Sequence, residues 1–275
     1  MRFVADIGGT NMRVAPIQEG GGGGNAFQNA KILKTPAEYS EGISILKKII
    51  SEMAGSEKIE AICIGVPGVL NPSKEIILRS SNLPGWEKKP LAHDLGIPLN
   101  TEVFLENDTA LVGLGEALYG AGKGEGIVAY ITISTGVGGV RIVNGRIDAS
   151  VSGFEPGHQI ILIGEGEERE FETLVSGTAM MKKYKKHPSE IRDDKIWEEW
   201  AKLSAVGIGN TILHWSPDIV VLGGSMFKEV GISITRVEYY LRKTITIFEK
   251  LPALKRGELG DFGGLYGASA YLKDK

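Results

Sequence analysis

The chain has 275 residues, with 31 basic and 34 acidic side chains and a formal charge of −3. That balance lacks the basic face of a general nucleic-acid or anionic-membrane binder. A single cysteine, Cys63, excludes a disulfide scaffold and any zinc site built from several thiolates. No stretch approaches the ~20 apolar residues of a membrane span. Asp6 interrupts the N-terminus before a signal peptide's apolar core can form, so the expected location is the cytoplasm. At ~150 residues per domain the length suggests two domains or one large one. The 38 glycines are about twice the ordinary ~7% share, and they cluster.

Taken in order, residues 3–7 form an apolar strand, Gly8-Gly9-Thr10 turn the chain, and residues 12–17 return as the second strand of a hairpin. Gly20-Gly21-Gly22-Gly23-Gly24 reads as a hairpin tip, because ordering five glycines costs much chain entropy. Ser40 can cap a helix running to Met53, with Ile43, Leu46, Ile50 and Met53 on one face and Gly55 as its stop. Residues 59–64 are a buried-type strand leading into Gly65-Val66-Pro67-Gly68. Residues 103–105 form another, ending at Glu106-Asn107-Asp108, and residues 109–119 continue as a helix. Strand, polar turn, helix is the rhythm of an α/β protein. After the link Gly120-Ala121-Gly122-Lys123-Gly124 the opening repeats: strand 127–134, turn Thr135-Gly136-Val137-Gly138-Gly139, returning strand 140–143. Two related halves follow, unless the match between two glycine turns is fortuitous. Residues 194–215 carry a helical pattern, 218–222 a strand followed by Gly223-Gly224-Ser225 and a helix, and 264–272 a final helix.

Three glycine turns are candidates for chemistry. In Asp6-Ile7-Gly8-Gly9-Thr10-Asn11-Met12-Arg13, two glycines let backbone N–H groups meet an anion where a side chain would collide. Asp6 at the strand end can hold Mg²⁺ through water. A plain hairpin turn is the alternative. The turn at residues 135–139 follows the same logic. Neither precedes the Gly-Lys-Ser/Thr of a Walker loop, and neither shows the three-glycine turn of a dinucleotide fold. At Gly223-Gly224-Ser225 a flat adenosine can lie on glycine backbone beside a helix N-terminus, or the turn is an ordinary connection.

In this order and spacing the three turns resemble those of the ROK family of bacterial and archaeal sugar kinases, within the actin and hexokinase superfamily, over nearly the whole chain. The resemblance implies an α/β fold of two ribonuclease-H-like (actin-like ATPase) domains with a nucleotide/sugar cleft between them. The small domain would be residues 1–108 completed by the C-terminal helix at about 264–275, and the large one residues 109–263. ATP and Mg²⁺ would be the cofactors. Asp6, Gly8, Gly9, Thr10, Asn11 and Arg13 would form the first phosphate loop, Thr135 and Gly136 the second, and Gly223, Gly224 and Ser225 the adenosine turn. Asn107-Asp108 matches the family's Asn-Asp pair, whose aspartate is the catalytic base. A carboxylate suits that task, because a sugar hydroxyl must lose its proton as it attacks the γ-phosphorus. The field of an apparent helix start favours the charged form of Asp108. Glu155-Pro156-Gly157-His158 matches the family's Glu-x-Gly-His, and Glu172 the glutamate ahead of its Ser-Gly. The resemblance implies that Glu155, His158 and Glu172 hold ring hydroxyls, with Asn82, Asn107 and the backbone of Gly68 also on the sugar.

Most family members carry a three-cysteine zinc knuckle between that histidine and that glutamate. Residues 159–171 here contain no cysteine, so no zinc is expected, and a carboxylate or backbone carbonyl must fix the His158 tautomer instead. The function implied is ATP-dependent phosphorylation of a hexose, glucose first, at its 6-hydroxyl. Alternatives are an N-acetylmannosamine or N-acetylglucosamine kinase and a broad-specificity hexokinase. A sugar-responsive regulator of the same family is disfavoured, because its DNA-binding domain would precede a loop that here begins at Asp6. The partners implied are a sugar and ATP, without nucleic acid or membrane, in a homodimer.

Overall fold

The computed structural model describes residues 1–17, 26–164 and 167–275, so the five-glycine run at residues 20–24 lies outside the described residues. The chain divides into two compact units. One comprises Met1–Tyr119, Ala149–Gly153 and Leu259–Lys275, the other Gly120–Asp148 and Phe154–Glu258.

In the first unit, β1 (Arg2–Ile7) and β2 (Asn11–Pro16) form the expected hairpin, with Asp6 opposite Arg13 and Ile7 opposite Met12. β3 (Lys31–Lys34) follows, then α1 (Tyr39–Ala54), β4 (Ala61–Val66), the two-stranded ribbon of β5 (Val69–Leu70) and β6 (Ile77–Arg79), α2 (Leu91–Leu99), β7 (Glu102–Asn107) and α3 (Asp108–Tyr119). The main sheet runs β3-β2-β1-β4-β7, antiparallel as far as β1 and parallel beyond it. Parallel strands need cover on both faces, and alternation supplies it. Phe3, Ala5, Ile62 and Ile64 pack with Ile43, Leu46 and Ile50 of α1. Val4 and Cys63 face the other way, toward Leu111 and the C-terminal residues Leu265 and Tyr266. Gly55 ends α1 at φ +57°, as its sequence predicts, but Ser40 does not cap it. The cap position is Glu38, without a side-chain hydrogen bond, because the helix begins at Tyr39, two residues before the start a Ser40 cap would set.

The second unit opens with β8 (Ile127–Ile133), β9 (Val137–Val143) and β10 (Arg146–Ile147). The hairpin of β11 (Ile160–Gly164) and β12 (Glu167–Glu170) comes next, then α4 (Phe171–Val175), α5 (Gly177–Tyr184), α6 (Asp194–Trp215), β13 (Ile219–Gly223), α7 (Ile234–Thr244) and β14 (Ala253–Arg256). Its main sheet runs β10-β9-β8-β13-β14, again antiparallel on one side of the first strand and parallel on the other. The repeat seen at two glycine turns is thus a repeat of whole five-stranded sheets, with the order expected of ribonuclease-H-like domains. Two local expectations change. Gly138 and Gly139 lie within β9, paired with Thr132 and Ile131, rather than in the turn. A Cβ on Gly139 would meet Pro156 at 2.7 Å and the Tyr130 carbonyl oxygen at 2.8 Å. After Gly223-Gly224 comes a single 3-10 turn (Ser225–Phe227), and α7 starts only at Ile234.

The final helix, α8 (Gly263–Lys273), returns to the first unit. A Cβ on Gly267 would lie 1.7 Å from the Leu111 carbonyl oxygen, so α8 and α3 touch backbone to backbone. That contact keeps α3 with the first unit, whereas the sequence expectation ended the small domain at Asp108. Among the described residues no helix is long and apolar enough to cross a membrane.

Candidate active site

In the first unit the carboxyl ends of β1, β4 and β7 carry the candidates. The turn after β1 is pinned by Thr35, whose Oγ1 donates to the Gly8 carbonyl at 2.6 Å and whose N–H donates to the Thr10 carbonyl at 3.0 Å. The Gly8 N–H closes the turn on the Asn11 carbonyl at 2.9 Å. The N–H groups of Gly9 and Thr10 have no hydrogen-bond partner among the described residues and can meet an anion. Asn82 lies against this turn: a Cβ on Gly9 would stand 3.1 Å from the Asn82 side chain.

Asp6 sits at the end of β1, 3.5 Å from the Arg13 guanidinium and packed against Gly264 at the start of α8. Arg13 also approaches Asp261 at 3.9 Å, while its Nε is buried without a partner. Burial, then the charge of Asp108, pushes the Asp6 carboxyl up to about 7 against the pull of Arg13. Asp6 Oδ1 and the backbone of Asp108 converge beside Gly65, where a Cβ would already crowd Leu111 at 3.1 Å.

Asn107 and Asp108 divide the work at the start of α3. Asn107 Oδ1 accepts the Ala110 N–H at 3.0 Å, so Asn107 is the cap. Its Nδ2 donates to the Gly68 carbonyl at 3.1 Å, and its N–H donates to Glu106 Oε1 at 3.0 Å. Buried Glu106 is paired in turn with Lys74. Asp108 Oδ1 accepts the Thr109 N–H at 2.6 Å. The helix-start field does not decide the Asp108 charge as expected from the sequence. Burial raises its carboxyl above the ordinary range, outweighing the hydrogen bonds from Thr109. Gly68, at φ +102°, tolerates no side chain: a Cβ would fall 2.2 Å from the Arg79 carbonyl oxygen.

In the second unit, Ser134, Thr135 and Gly136 turn β8 into β9. Helices α4 and α5 grip this turn. The Gly177 N–H donates to the Ser134 carbonyl at 2.7 Å, Thr178 Oγ1 donates to the Thr135 carbonyl at 2.6 Å, and Glu172 Oε2 accepts the Val137 N–H at 2.7 Å. The N–H groups of Thr135 and Gly136 have no partner among the described residues. Ser134 and Ser225 share a hydrogen bond at 3.0 Å, which ties this turn to the one after β13. Neither glycine of that later turn could carry a side chain. A Cβ would meet the Tyr130 hydroxyl at 2.1 Å from Gly223 and the Ile133 carbonyl oxygen at 2.2 Å from Gly224.

Glu155 and His158 flank Gly157, which presses on the Val137 carbonyl so closely that a Cβ would lie 2.3 Å away. His158 Nδ1 is 3.0 Å from Glu170 Oε2 on the returning strand of the β11–β12 hairpin. Glu170 raises the histidine pKa above its usual value, with lesser help from Glu155 and Glu172. Sequence reasoning asked for a carboxylate or a backbone carbonyl beside His158 without naming Glu170, and it missed Thr35 and Thr178 as the pins of the two turns.

The donors fit the groups implied for them. A buried carboxylate, Asp6, with a second, Asp108, electrostatically coupled to it, suits a hard cation such as Mg²⁺, which takes one or two carboxylates plus phosphate and water oxygens. The orphaned Arg13 Nε suits a phosphate oxygen. Among the described residues no group of three or more His, Cys, Asp or Glu is arranged to hold a metal.

The sequence profile of the ROK family matches residues 3–275. N-acetylgalactosamine kinase AgaK of Shewanella sp. (strain ANA-3) is 28% identical over 302 residues, covering 98% of this chain and 96% of that protein. The glucokinase of Thermotoga maritima is 24% identical over 318 residues, with the same coverage of each. The crystal structure of the ROK hexokinase from Thermus thermophilus superposes with a TM-score of 0.83 at 25% identity, over 99% of both chains. The fold is therefore that of two ribonuclease-H-like domains, and the chain belongs to the ROK family.

Proposed function

We propose that this ATP-dependent sugar kinase transfers the γ-phosphoryl group of ATP to the 6-hydroxyl of a hexose, with glucose as the leading candidate. The observation that carries the reading is Asp108. Its carboxylate stands at the first turn of α3, without an ion-pair partner among the described residues, while Asn107 does the capping that would otherwise explain an acid there. Asp108 takes the proton of the sugar hydroxyl as the oxygen attacks. A carboxyl raised by burial is a stronger base than a free one once it is ionised.

The N–H groups of Gly9, Thr10, Thr135 and Gly136, with Arg13, meet the phosphate oxygens, and Asn11 supports the first of these turns. Gly223, Gly224 and Ser225 receive adenosine. Gly68, Asn82, Asn107, Glu155, His158 and Glu172 are assigned to the sugar. Asp6 would hold Mg²⁺ through water, and that ion supplies charge against the β- and γ-phosphates. Zinc has no part in this reading.

A coupled ADP-release screen over glucose, mannose, fructose, glucosamine and the N-acetyl hexosamines is the test. Sugar-dependent release strongest with glucose is expected. Release with N-acetyl sugars alone would move the assignment to an N-acetylhexosamine kinase, the second reading, which the likeness to AgaK favours. No sugar-dependent release with any of them would defeat both.

A further inference from the structure

One carboxylate assigned to the sugar is already engaged elsewhere. Glu172 Oε2 accepts the Val137 N–H at 2.7 Å and covers Gly136 so closely that a Cβ there would lie 2.5 Å from the same oxygen. Oε1 has no hydrogen-bond partner among the described residues. The motif bearing His158 presses on the same residue from the other side, Gly157 against the Val137 carbonyl. Val137 is thus the junction at which the sugar residues and the second phosphate turn meet within one unit.

We propose that Glu172 is a positioning residue for the second phosphate turn as well as a sugar ligand, and that this shared carboxylate couples sugar binding to nucleotide binding. This rests on the kinase reading. A sugar hydroxyl on Oε1 pins the carboxylate, and Oε2 then holds the turn in place for the phosphates. Ordering shared by two ligands is done once, so each tightens the other by the same factor.

Calorimetric titration with the non-hydrolysable analogue AMPPNP, with and without saturating glucose (or the hexose that the ADP-release screen selects), tests it. The wild type should show sugar tightening nucleotide at least about fivefold. Glu172→Ala should weaken AMPPNP binding about fivefold to tenfold even without sugar, about the net worth of one hydrogen bond, and should abolish the coupling. Glu172→Gln keeps an oxygen for the Val137 N–H and should restore sugar-free AMPPNP affinity to near wild type. Gly136→Ala, whose methyl must displace Glu172, should weaken sugar binding although Gly136 is not assigned to the sugar. Glu172→Ala binding AMPPNP as the wild type does without sugar, or Gly136→Ala leaving sugar affinity unchanged, would overturn the proposal. A wild type that binds neither ligand would defeat the kinase reading itself. A wild type that binds both without coupling would defeat only this one.

Discussion

The turn at residues 8–10 and the turn at residues 134–136 close hairpins at matching positions of two sheets with the same strand order, yet different chemistry secures them. The first is pinned through its carbonyls by Thr35, and its neighbouring carboxylate, Asp6, makes no hydrogen bond to the turn. The second is pinned at its exit, through the N–H of Val137, the first residue of β9, by a carboxylate, Glu172, with Gly177 and Thr178 on the carbonyls of the turn. In the first unit the acids therefore remain crowded and short of positive charge. Burial raises both Asp6 and Asp108, the charge of Asp108 adds to the rise of Asp6, and only Arg13 pulls Asp6 down. In the second unit Glu172 is bound to the turn and Glu170 is bound to His158. A strained pair of carboxylates suits proton transfer and a cation, whereas satisfied carboxylates suit holding a ligand in place.

Substitutions can break that contrast. The largest effect on turnover belongs to the first unit. Asp108→Asn keeps the shape and the contact with Thr109 but removes the proton acceptor. Its kcat should fall at least ~10²-fold, the lower end for general-base catalysis, with little change in ATP affinity. Steady-state kinetics with the preferred sugar check this, and a near-normal kcat would place the base elsewhere.

The next effect is on stability and is also confined to the first unit. Gly267→Ala would put a methyl 1.7 Å from the Leu111 carbonyl oxygen, where both partners are helix backbone. The helices must part, and overpacking of this kind costs about 3 kcal/mol. At 2–4 °C per kcal/mol for a chain of this size, thermal unfolding should begin roughly 10 °C lower. Asp6 packs on the same helix at Gly264, so its environment would loosen with it. A variant melting with the wild type would mean that α8 does not hold this unit together.

Much of this architecture is legible in the chain. Apolar runs that lead into glycine-bearing turns give β1, β8 and β13, and recurrence of the hairpin pattern gives the two halves. Asn107-Asp108 between a strand and a helical pattern gives the start of α3. What stays hidden depends on partners distant in sequence. Gly138-Gly139 read as turn because glycine pairs usually are. They belong to β9, where Pro156 and Trp215 occupy the space a side chain would need at Gly139. Ser40 has the chemistry of a cap, but Tyr39 already lies inside α1. The raised carboxyls of Asp6 and Asp108 come from burial, which spacing does not reveal. Glu170 is one acid in the charged run Glu167-Glu168-Arg169-Glu170, and only the hairpin register brings it back to His158.

Glu170 provides the smallest expected effect and tests the second unit. In the neutral histidine, Glu170 holds the proton on Nδ1 and leaves Nε2 as the acceptor that the proposed sugar contact needs. Glu170→Gln removes the charge but keeps an acceptor, so the ring loosens rather than collapses, and the sugar KM should rise about threefold, under one hydrogen bond's worth. The sign of the stability effect follows from the raised histidine pKa. A group whose folded pKa exceeds its unfolded value stabilises fully below the unfolded pKa, ~6.5 here, and that stabilisation is lost as pH rises through the raised value. The loss of Tm in Glu170→Gln should therefore be seen at pH ~5.5 and fade at a pH above the raised value, while the KM effect persists there, where the neutral ring still needs orienting. The pair is 57% and 39% exposed, so the acid-side loss should stay below ~1 kcal/mol. A zinc chelator that spares Mg²⁺ should leave the wild-type KM unchanged if Glu170, 3.0 Å from His158 Nδ1, is what turns the ring. Melting and kinetics at the two pH values separate the outcomes. Equal destabilisation at both would mean that Glu170 only braces the hairpin, and an unchanged KM would mean that His158 is oriented by something else.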